Sequence, residues 1–299
     1  MPAPNFGDTE RQNAEALIEM AFVEDLGTIG DLTSDATIPD DARGSAQFVV
    51  RTAGVISGLP ILELCARRFG VRSFYKPLAA DGDHVSAGVA IALVAGPMRP
   101  ILMMERTALN FLQHLSGVAT MTSRFVAAVS GTSAMILDTR KTTPGWRALE
   151  KYAVRCGGGV NHRIGLHDAV LIKDNHLAWL SFLGHADPIR ESIKSARAHS
   201  PEGTLIEVEV DSLDQLDLAL GCHPDIILVD NIGVKGLTEA VRRRNALAPE
   251  VRLEASGGVN LLTVGALAHT GVDRISVGAL THSAPALDIG LDFERSLST

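Results

Sequence analysis

Acidic and basic residues in this 299-residue chain recur at one kind of place, the ends of short apolar runs. Met135-Ile136-Leu137 leads into Asp138-Thr139-Arg140-Lys141. Ala169-Val170-Leu171-Ile172 leads into Lys173-Asp174-Asn175-His176. The run 205–210 carries Glu207 and Glu209 and is followed by Asp211, and Ile226–Val229 ends in Asp230-Asn231. Two further runs end in Ser256-Gly257-Gly258 and Ser276-Val277-Gly278. Turns favour Gly, Asn and Asp, so some polarity at a strand end is ordinary. They have no need of Arg140, Lys141, Lys173 and Glu209.

Each group suggests a chemistry. The two Ser-containing ends are small and read as leading into helices, where backbone N–H groups and hydroxyls can hold a phosphate. Segment 138–176 has seven Lys or Arg against four acids, in a chain whose net charge is −8. Within it, Arg140, Lys141, Arg163 and Lys173 stand at strand ends or beside Gly157-Gly158-Gly159, placed to bind an anion with several carboxylates or phosphates. Arg147, Lys151 and Arg155 recur at i, i+4, i+8 and read instead as a solvated helix face. Lys173 at the end of an apolar strand is either a Schiff-base nucleophile or a charge partner for a carboxylate. Glu209 and Asp230 offer hard oxygens suited to magnesium beside a substrate phosphate, or an ion pair with Arg140 or Lys173. His162, His167 and His176 match none of the usual zinc spacings.

Elements must bring these ends together. Runs at 135–139, 169–173, 205–210, 225–230, 252–256 and 274–278 read as strands, with helical stretches at 189–199, 213–220, 236–247 and 261–269 between most of them. Strand–helix alternation predicts a parallel sheet, and this many units predict a closed barrel, whose carboxyl-end loops share one mouth. The first third differs. A helix is expected after a capping box at Thr9-x-x-Gln12. Short strand-like runs follow between residues 45 and 96, with a helix at 61–69. Two helices are expected after Glu105, broken at Ser116-Gly117.

Composition narrows the class. Hydrophobic residues make up 46% and aromatics 4%, so the core is aliphatic, as in helices packed on parallel strands. The acidic balance argues against nucleic acid. Cys65, Cys156 and Cys222 form no CxxC pair and read as reduced thiols of a cytoplasmic protein. The polar N-terminus is no signal peptide and no apolar run is long enough to span a bilayer, so no membrane partner is expected.

The run DTRKTTPGWRALEKYAVRCGGGVNHRIGLHDAVLIKDNH (138–176) closely resembles the quinolinate phosphoribosyltransferase family. Supporting stretches are EDLGTIGDLTSDATIP (24–39), ERTALNFLQHLSGVAT (105–120), EVEVDSLDQ (207–215), LVDN (228–231), EASGGVN (254–260) and GVDRISVGALTHSAPALDIGLDF (271–293). Met103-Met104 departs from the family pattern, which more often has a small residue there, and bears on packing.

The resemblance implies an α/β fold of the type II phosphoribosyltransferase kind. An N-terminal α/β sandwich would span 1–114, with the tail 285–299 returning to it. An α/β barrel of fewer than eight strands would span 115–284. It implies transfer of a phosphoribosyl group from phosphoribosyl pyrophosphate to quinolinate with loss of carbon dioxide, magnesium as cofactor, and at least a homodimer with shared sites. Arg106, Arg140, His162, Arg163 and Lys173 would cage the acceptor, and Thr139 and Lys141 would contact substrate. Glu209 and Asp230 would hold ribose hydroxyls or magnesium-bound water. Ser256, Gly257, Gly258, Ser276, Val277 and Gly278 would hold the 5′-phosphate. Lys141, Lys173, Glu209 and Asp230 are the residues expected to act in catalysis. Two other readings are a same-fold relative with a different acceptor, of the molybdenum-transport-associated type, and a non-catalytic sugar-phosphate sensor.

Overall fold

A computed structural model describes residues 4–71 and 74–293. It begins with α1 (Asp8–Leu26), α2 (Leu32–Thr37), β1 (Arg43–Val50), β2 (Gly54–Val55), α3 (Leu59–Arg68), β3 (Phe74–Pro77), β4 (His84–Val85) and β5 (Ala90–Pro97). The long helix α4 (Met98–Ala128), β6 (Met135–Leu137), α5 (Arg147–Cys156), β7 (Val170–Ile172), α6 (Asp174–Phe182) and α7 (Pro188–His199) follow. Then come β8 (Ile206–Val210), α8 (Leu213–Leu220), β9 (Ile226–Asp230), α9 (Val234–Leu247), β10 (Arg252–Ser256), α10 (Val264–Ala268), β11 (Arg274–Ser276), α11 (Ala279–His282) and β12 (Ile289–Phe293). The chain divides into two compact units. One comprises residues 1–123, 142–158 and 280–299, the other residues 124–141 and 159–279.

The first unit is built on an antiparallel sheet in the order β12-β1-β5-β3. Along β1, Ala46, Phe48 and Val50 are buried at the period of two that gives a strand one core face. β12 pairs with β1 through Phe48 opposite Leu291. Residues 294–299 of the expected tail lie outside the described residues.

Three local expectations are corrected in this unit. Helix α1 starts at Asp8, and the Gly7 N–H donates to Glu10 Oε2 at 3.1 Å, so the cap involves Gly7 and Glu10, not Thr9 and Gln12. Ser116-Gly117 does not break the helix, which runs unbroken as α4. A side chain at Gly117 would place its Cβ 2.2 Å from the Pro285 carbonyl oxygen, so glycine there admits the returning chain. The expected solvated face of α5 is not solvated: Lys151 is fully buried, and the half-buried Arg155 donates to Glu10 at 2.8 Å. Met104 is buried too, in keeping with a packing role.

The second unit holds a six-stranded parallel sheet in the order β6-β11-β10-β9-β8-β7, and Val160 bridges Leu137 in parallel. Ile226 to Val229 are all buried, the unbroken apolar pattern of a strand covered on both faces. Helices alternate with the strands, as the α/β reading requires. The sheet is rolled: β6 and β7, at opposite ends of the bonded order, both deliver residues to one cavity. This is the barrel arrangement with fewer than eight strands. Among the described residues no ladder joins β7 to β6.

Candidate active site

A cavity of 410 Å³ in the second unit is lined from all six strand ends. Following the sheet order, β6 leads into Thr139, Arg140 and Lys141, β11 gives Ser276, and β10 gives Ser256 and Glu254. Asp230 and Leu228 come from β9, Glu209 from β8, Leu171 from β7, and Lys173 from the residue directly after it. His162 and Arg163 enter from the segment between β6 and β7. The cations therefore gather where the rolled sheet brings β6 and β7 to one place. The carboxylates and serines occupy the intervening arc.

Asp138 fixes the segment that carries His162 and Arg163. It is fully buried at the end of β6. Its Oδ1 accepts from the His162 N–H at 2.9 Å, and its Oδ2 accepts from Asn161 Nδ2 at 2.6 Å. Asp168 closes the next turn, accepting from the N–H groups of Ile164 at 2.7 Å and Gly165 at 2.8 Å. Burial opposes ionisation of Asp168, but these two bonds outweigh it and hold the carboxyl below its ordinary value.

The two arginines sit close enough to feel each other. Burial, and then the charge of Arg140, lower the basicity of Arg163. Arg163 Nη1 donates to the Ala169 carbonyl at 3.1 Å. Its Nε is buried without a hydrogen-bond partner among the described residues. Such a donor costs about 1–3 kcal/mol until something accepts from it. Paired guanidinium groups beside a cavity form a site for an anion with more than one carboxylate.

Lys173 Nζ is joined to Glu209 in an ion pair. The same contact realises the ion-pair reading of Glu209. Asp230 accepts from Asn231 Nδ2 at 2.6 Å. Asn231 adopts the left-handed conformation at φ 55°, and a Cβ on Gly257 would come within 2.1 Å of its Oδ1. Gly257, itself at φ 94°, lets the end of β10 pass that close to the end of β9.

One expectation about the serine ends is corrected. Ser256-Gly257-Gly258 does not lead directly into a helix, because α10 begins only at Val264. Any anion site there is made by loop N–H groups and hydroxyls, not by a helix terminus. Ser276 does run almost directly into α11, a single turn. Ser256 and Ser276 line the cavity, while the Val277 side chain is buried away from solvent.

The three histidines do not gather. His167 is exposed, and His176 Nδ1 accepts the Lys173 N–H at 2.8 Å at the start of α6. His162 instead meets two acids that sequence reasoning gave no role, Glu207 and Glu254. Its Nε2 lies 3.1 Å from Glu207 Oε2 and 3.4 Å from Glu254 Oε1. Arg274 Nε donates to Glu254 Oε2 at 2.7 Å. A charged residue at alternate positions of an otherwise apolar strand, as in IEVEV and RLEAS, is the signal that marks them. Their ligand atoms lie within 4.8 Å of one another. With Arg274 and the imidazole proton already engaged, the donor set is that of an ion-pair network.

Charge and geometry act oppositely on His162. Burial disfavours its cation, while the neighbouring carboxylates of Glu207 and Glu254 favour it. Against them, Nδ1 accepts the Arg163 N–H at 2.8 Å, which leaves no room for a second ring proton on that atom. Burial pushes Glu207 up. Burial also opposes ionisation of Glu254, but the partners His162 and Arg274 prevail and hold it low.

Arg106 lies in the other unit. There it lines a separate cavity of 270 Å³ with Leu17, Met20, Glu24, Asn110 and Trp146.

The chain is similar to known proteins over nearly its whole length. Residues 31–116 match the model of the quinolinate phosphoribosyl transferase N-terminal domain, and residues 118–292 that of the C-terminal domain. The nicotinate-nucleotide pyrophosphorylase [carboxylating] of Mycobacterium leprae is 46% identical over 95% of this chain and 99% of its own. The probable enzyme of that name from Bacillus subtilis is 40% identical over 92% of each. The solved structure of the nicotinate-nucleotide pyrophosphorylase from Francisella tularensis superposes with a TM-score of 0.86 at 36% identity, covering 95% of this chain and 96% of its own. The chain belongs to the quinolinate phosphoribosyl transferase family.

Proposed function

We propose that this chain transfers the phosphoribosyl group of phosphoribosyl pyrophosphate to quinolinate and decarboxylates the product. It thereby forms nicotinate mononucleotide, pyrophosphate and carbon dioxide in the de novo route to NAD. The observation that carries this reading is the division of one cavity wall. Arg140, Lys141, Arg163 and Lys173 come from the ends of β6 and β7 and the segment between them, while Ser276, Ser256, Asp230 and Glu209 come from the intervening strands. A dicarboxylate suits the first group and a phosphorylated sugar the second.

The roles follow from charge. Arg140, Arg163 and Lys173 pair with the acceptor's two carboxylates, the arginines through bidentate forks. No Phe, Tyr or Trp lines the cavity among the described residues, so the pyridine ring is held by its carboxylates and bounded by Leu171 and Leu228. Lys141 contacts the pyrophosphate-bearing sugar. Ser256 and Ser276, with the N–H groups of Gly257, Gly258 and Gly278, hold the 5′-phosphate. Glu209 and Asp230 hold ribose hydroxyls or waters on magnesium. Two carboxylates on neighbouring strands, without a third ligand closing round them among the described residues, fit a cation that arrives largely hydrated with substrate phosphates. Bound there, magnesium would offset charge on the departing pyrophosphate.

The pyridine nitrogen forms a bond to the ribose anomeric carbon as the carbon–oxygen bond to pyrophosphate breaks, its electron pair leaving with pyrophosphate. Positive charge develops on the sugar, and positioning with electrostatics supplies most of the rate. The pyridinium nitrogen then stabilises the electron pair left on the adjacent ring carbon when its carboxylate departs as carbon dioxide. Water supplies the proton that replaces it. No protein base is assigned to this step.

The working form is a homodimer or larger assembly, in which Arg106 reaches the partner subunit's cavity. We place the enzyme in the cytoplasm. Burial holds the thiols of Cys65 and Cys156 up at about 12, as befits inert reduced cysteines. Among the described residues no helix is long and apolar enough to cross a membrane, and the acidic surface disfavours nucleic acid.

The direct test is incubation with phosphoribosyl pyrophosphate, magnesium and quinolinate labelled in the carboxylate beside the ring nitrogen. Labelled carbon dioxide should appear in step with nicotinate mononucleotide. Binding of both substrates without turnover would favour the sensor reading. Turnover with another acceptor alone would favour the same-fold relative.

A further inference from the structure

We propose that Glu207 and Glu254 are positioning residues for Arg163, acting through the ring of His162. The inference rests on the reading of the cavity as the quinolinate site.

The links form one chain of contacts. Arg274 Nε holds Glu254 at 2.7 Å. Glu254 and Glu207 flank His162 Nε2 at 3.4 and 3.1 Å. At the other side of the ring, Nδ1 accepts the Arg163 N–H at 2.8 Å. A contact between two nitrogens at that distance contains a single proton, and the amide owns it. The ring proton therefore sits on Nε2, between the two carboxylates. With both nitrogens engaged, the imidazole cannot turn without losing partners on both sides.

The two acids have no evident purpose as charges. Negative groups in or behind the wall of a cavity that takes a dianion weaken binding, and a buried carboxylate is costly in itself. Arg274 and His162 offset that cost, and the gain is directional. The His162 side chain is 8% exposed, Glu207 3% and Glu254 0%, so the bracket is packed rigidly. It fixes the backbone of Arg163, while the Ala169 carbonyl fixes one end of its guanidinium. An arginine placed in advance loses little conformational freedom when the carboxylate arrives.

The test compares Glu207→Leu with Glu207→Gln. Leucine removes the acceptor of the Nε2 proton, while glutamine keeps one and removes only the charge. Calorimetry without phosphoribosyl pyrophosphate should show Glu207→Leu binding quinolinate roughly tenfold more weakly, the scale seen when an orienting partner is lost. Glu207→Gln should stay close to the native affinity, and KM for phosphoribosyl pyrophosphate should be unchanged in both. Native affinity in Glu207→Leu, or equal losses in the two variants, would overturn the proposal. A second readout needs no variant. Nitrogen-15 spectra of the native chain should show His162 Nδ1 without a proton and Nε2 with one at neutral pH. Protons on both nitrogens would break the link to Arg163 and sink the idea. Failure of the native chain to bind quinolinate would instead refute the reading of the cavity, and the spectra would still decide the link.

Discussion

Lys173, directly after β7, and Glu209, on the neighbouring parallel strand β8, form an ion pair at the wall of the cavity. The two groups assigned to different substrates therefore restrain each other before either substrate arrives. Glu209→Ala should separate their roles. KM for phosphoribosyl pyrophosphate is expected to rise about tenfold as the sugar and hydrated magnesium lose a partner. Quinolinate affinity measured alone should not weaken, because Lys173 is released. Steady-state kinetics and calorimetry together check both halves, and unchanged kinetics would remove Glu209 from the donor site.

Arg140 is expected to carry much of the acceptor affinity. A charge-assisted bond of this kind contributes about 1.5–3 kcal/mol, which is roughly 10- to 100-fold in binding. Arg140→Ala should lose quinolinate binding on that scale. Near-native affinity would take it out of the cage.

Arg106 lines its own small cavity in the first unit and is assigned to the partner's site. Neither Arg106→Ala nor Lys173→Ala homodimers should be appreciably active. Mixing the two should restore activity, because one of the two sites in a hybrid dimer then has both residues intact. Silent hybrids, with their formation confirmed by mass, would exclude a shared site.

Asp168 makes the turn bearing Arg163 sensitive to acid. Its folded pKa lies below the ordinary 3.8 because two backbone N–H groups hold the anion. A depressed carboxyl stabilises the fold above the unfolded pKa and loses that contribution as the pH falls through the folded one. Native chain should therefore unfold at higher temperature than Asp168→Asn at pH 7. The gap should close once the pH drops well below 3.8. A gap that is constant with pH would show that the carboxylate charge is not involved.

Much of this protein is legible in its sequence. Strand–helix alternation after residue 130 fixes a parallel sheet, because apolar runs of five residues broken by amphipathic helices have few other ways to bury themselves. The polar ends of those runs name most of the cavity: Thr139, Arg140, Lys141, Lys173, Glu209, Asp230, Ser256 and Ser276 all line it. The net charge of −8 misleads only if read as a local property. It describes the whole surface, whereas the basic excess lies in the one segment that enters the cavity with Arg140, Arg163 and Lys173.

Tertiary structure decided what spacing could not. Gly117 reads as a helix break and instead lies within α4, since the reason for glycine there is a carbonyl from residue 285. Lys151 reads as solvated and is buried, because helical periodicity shows that a face exists but not what covers it. The same gap hid Glu207 and Glu254. They are 47 residues apart in sequence and meet at one imidazole only when the sheet rolls and sets β8 and β10 on either side of His162. Local patterns are written by the chain's own backbone geometry; which side chains face one another across a rolled sheet is set by the closure of that sheet.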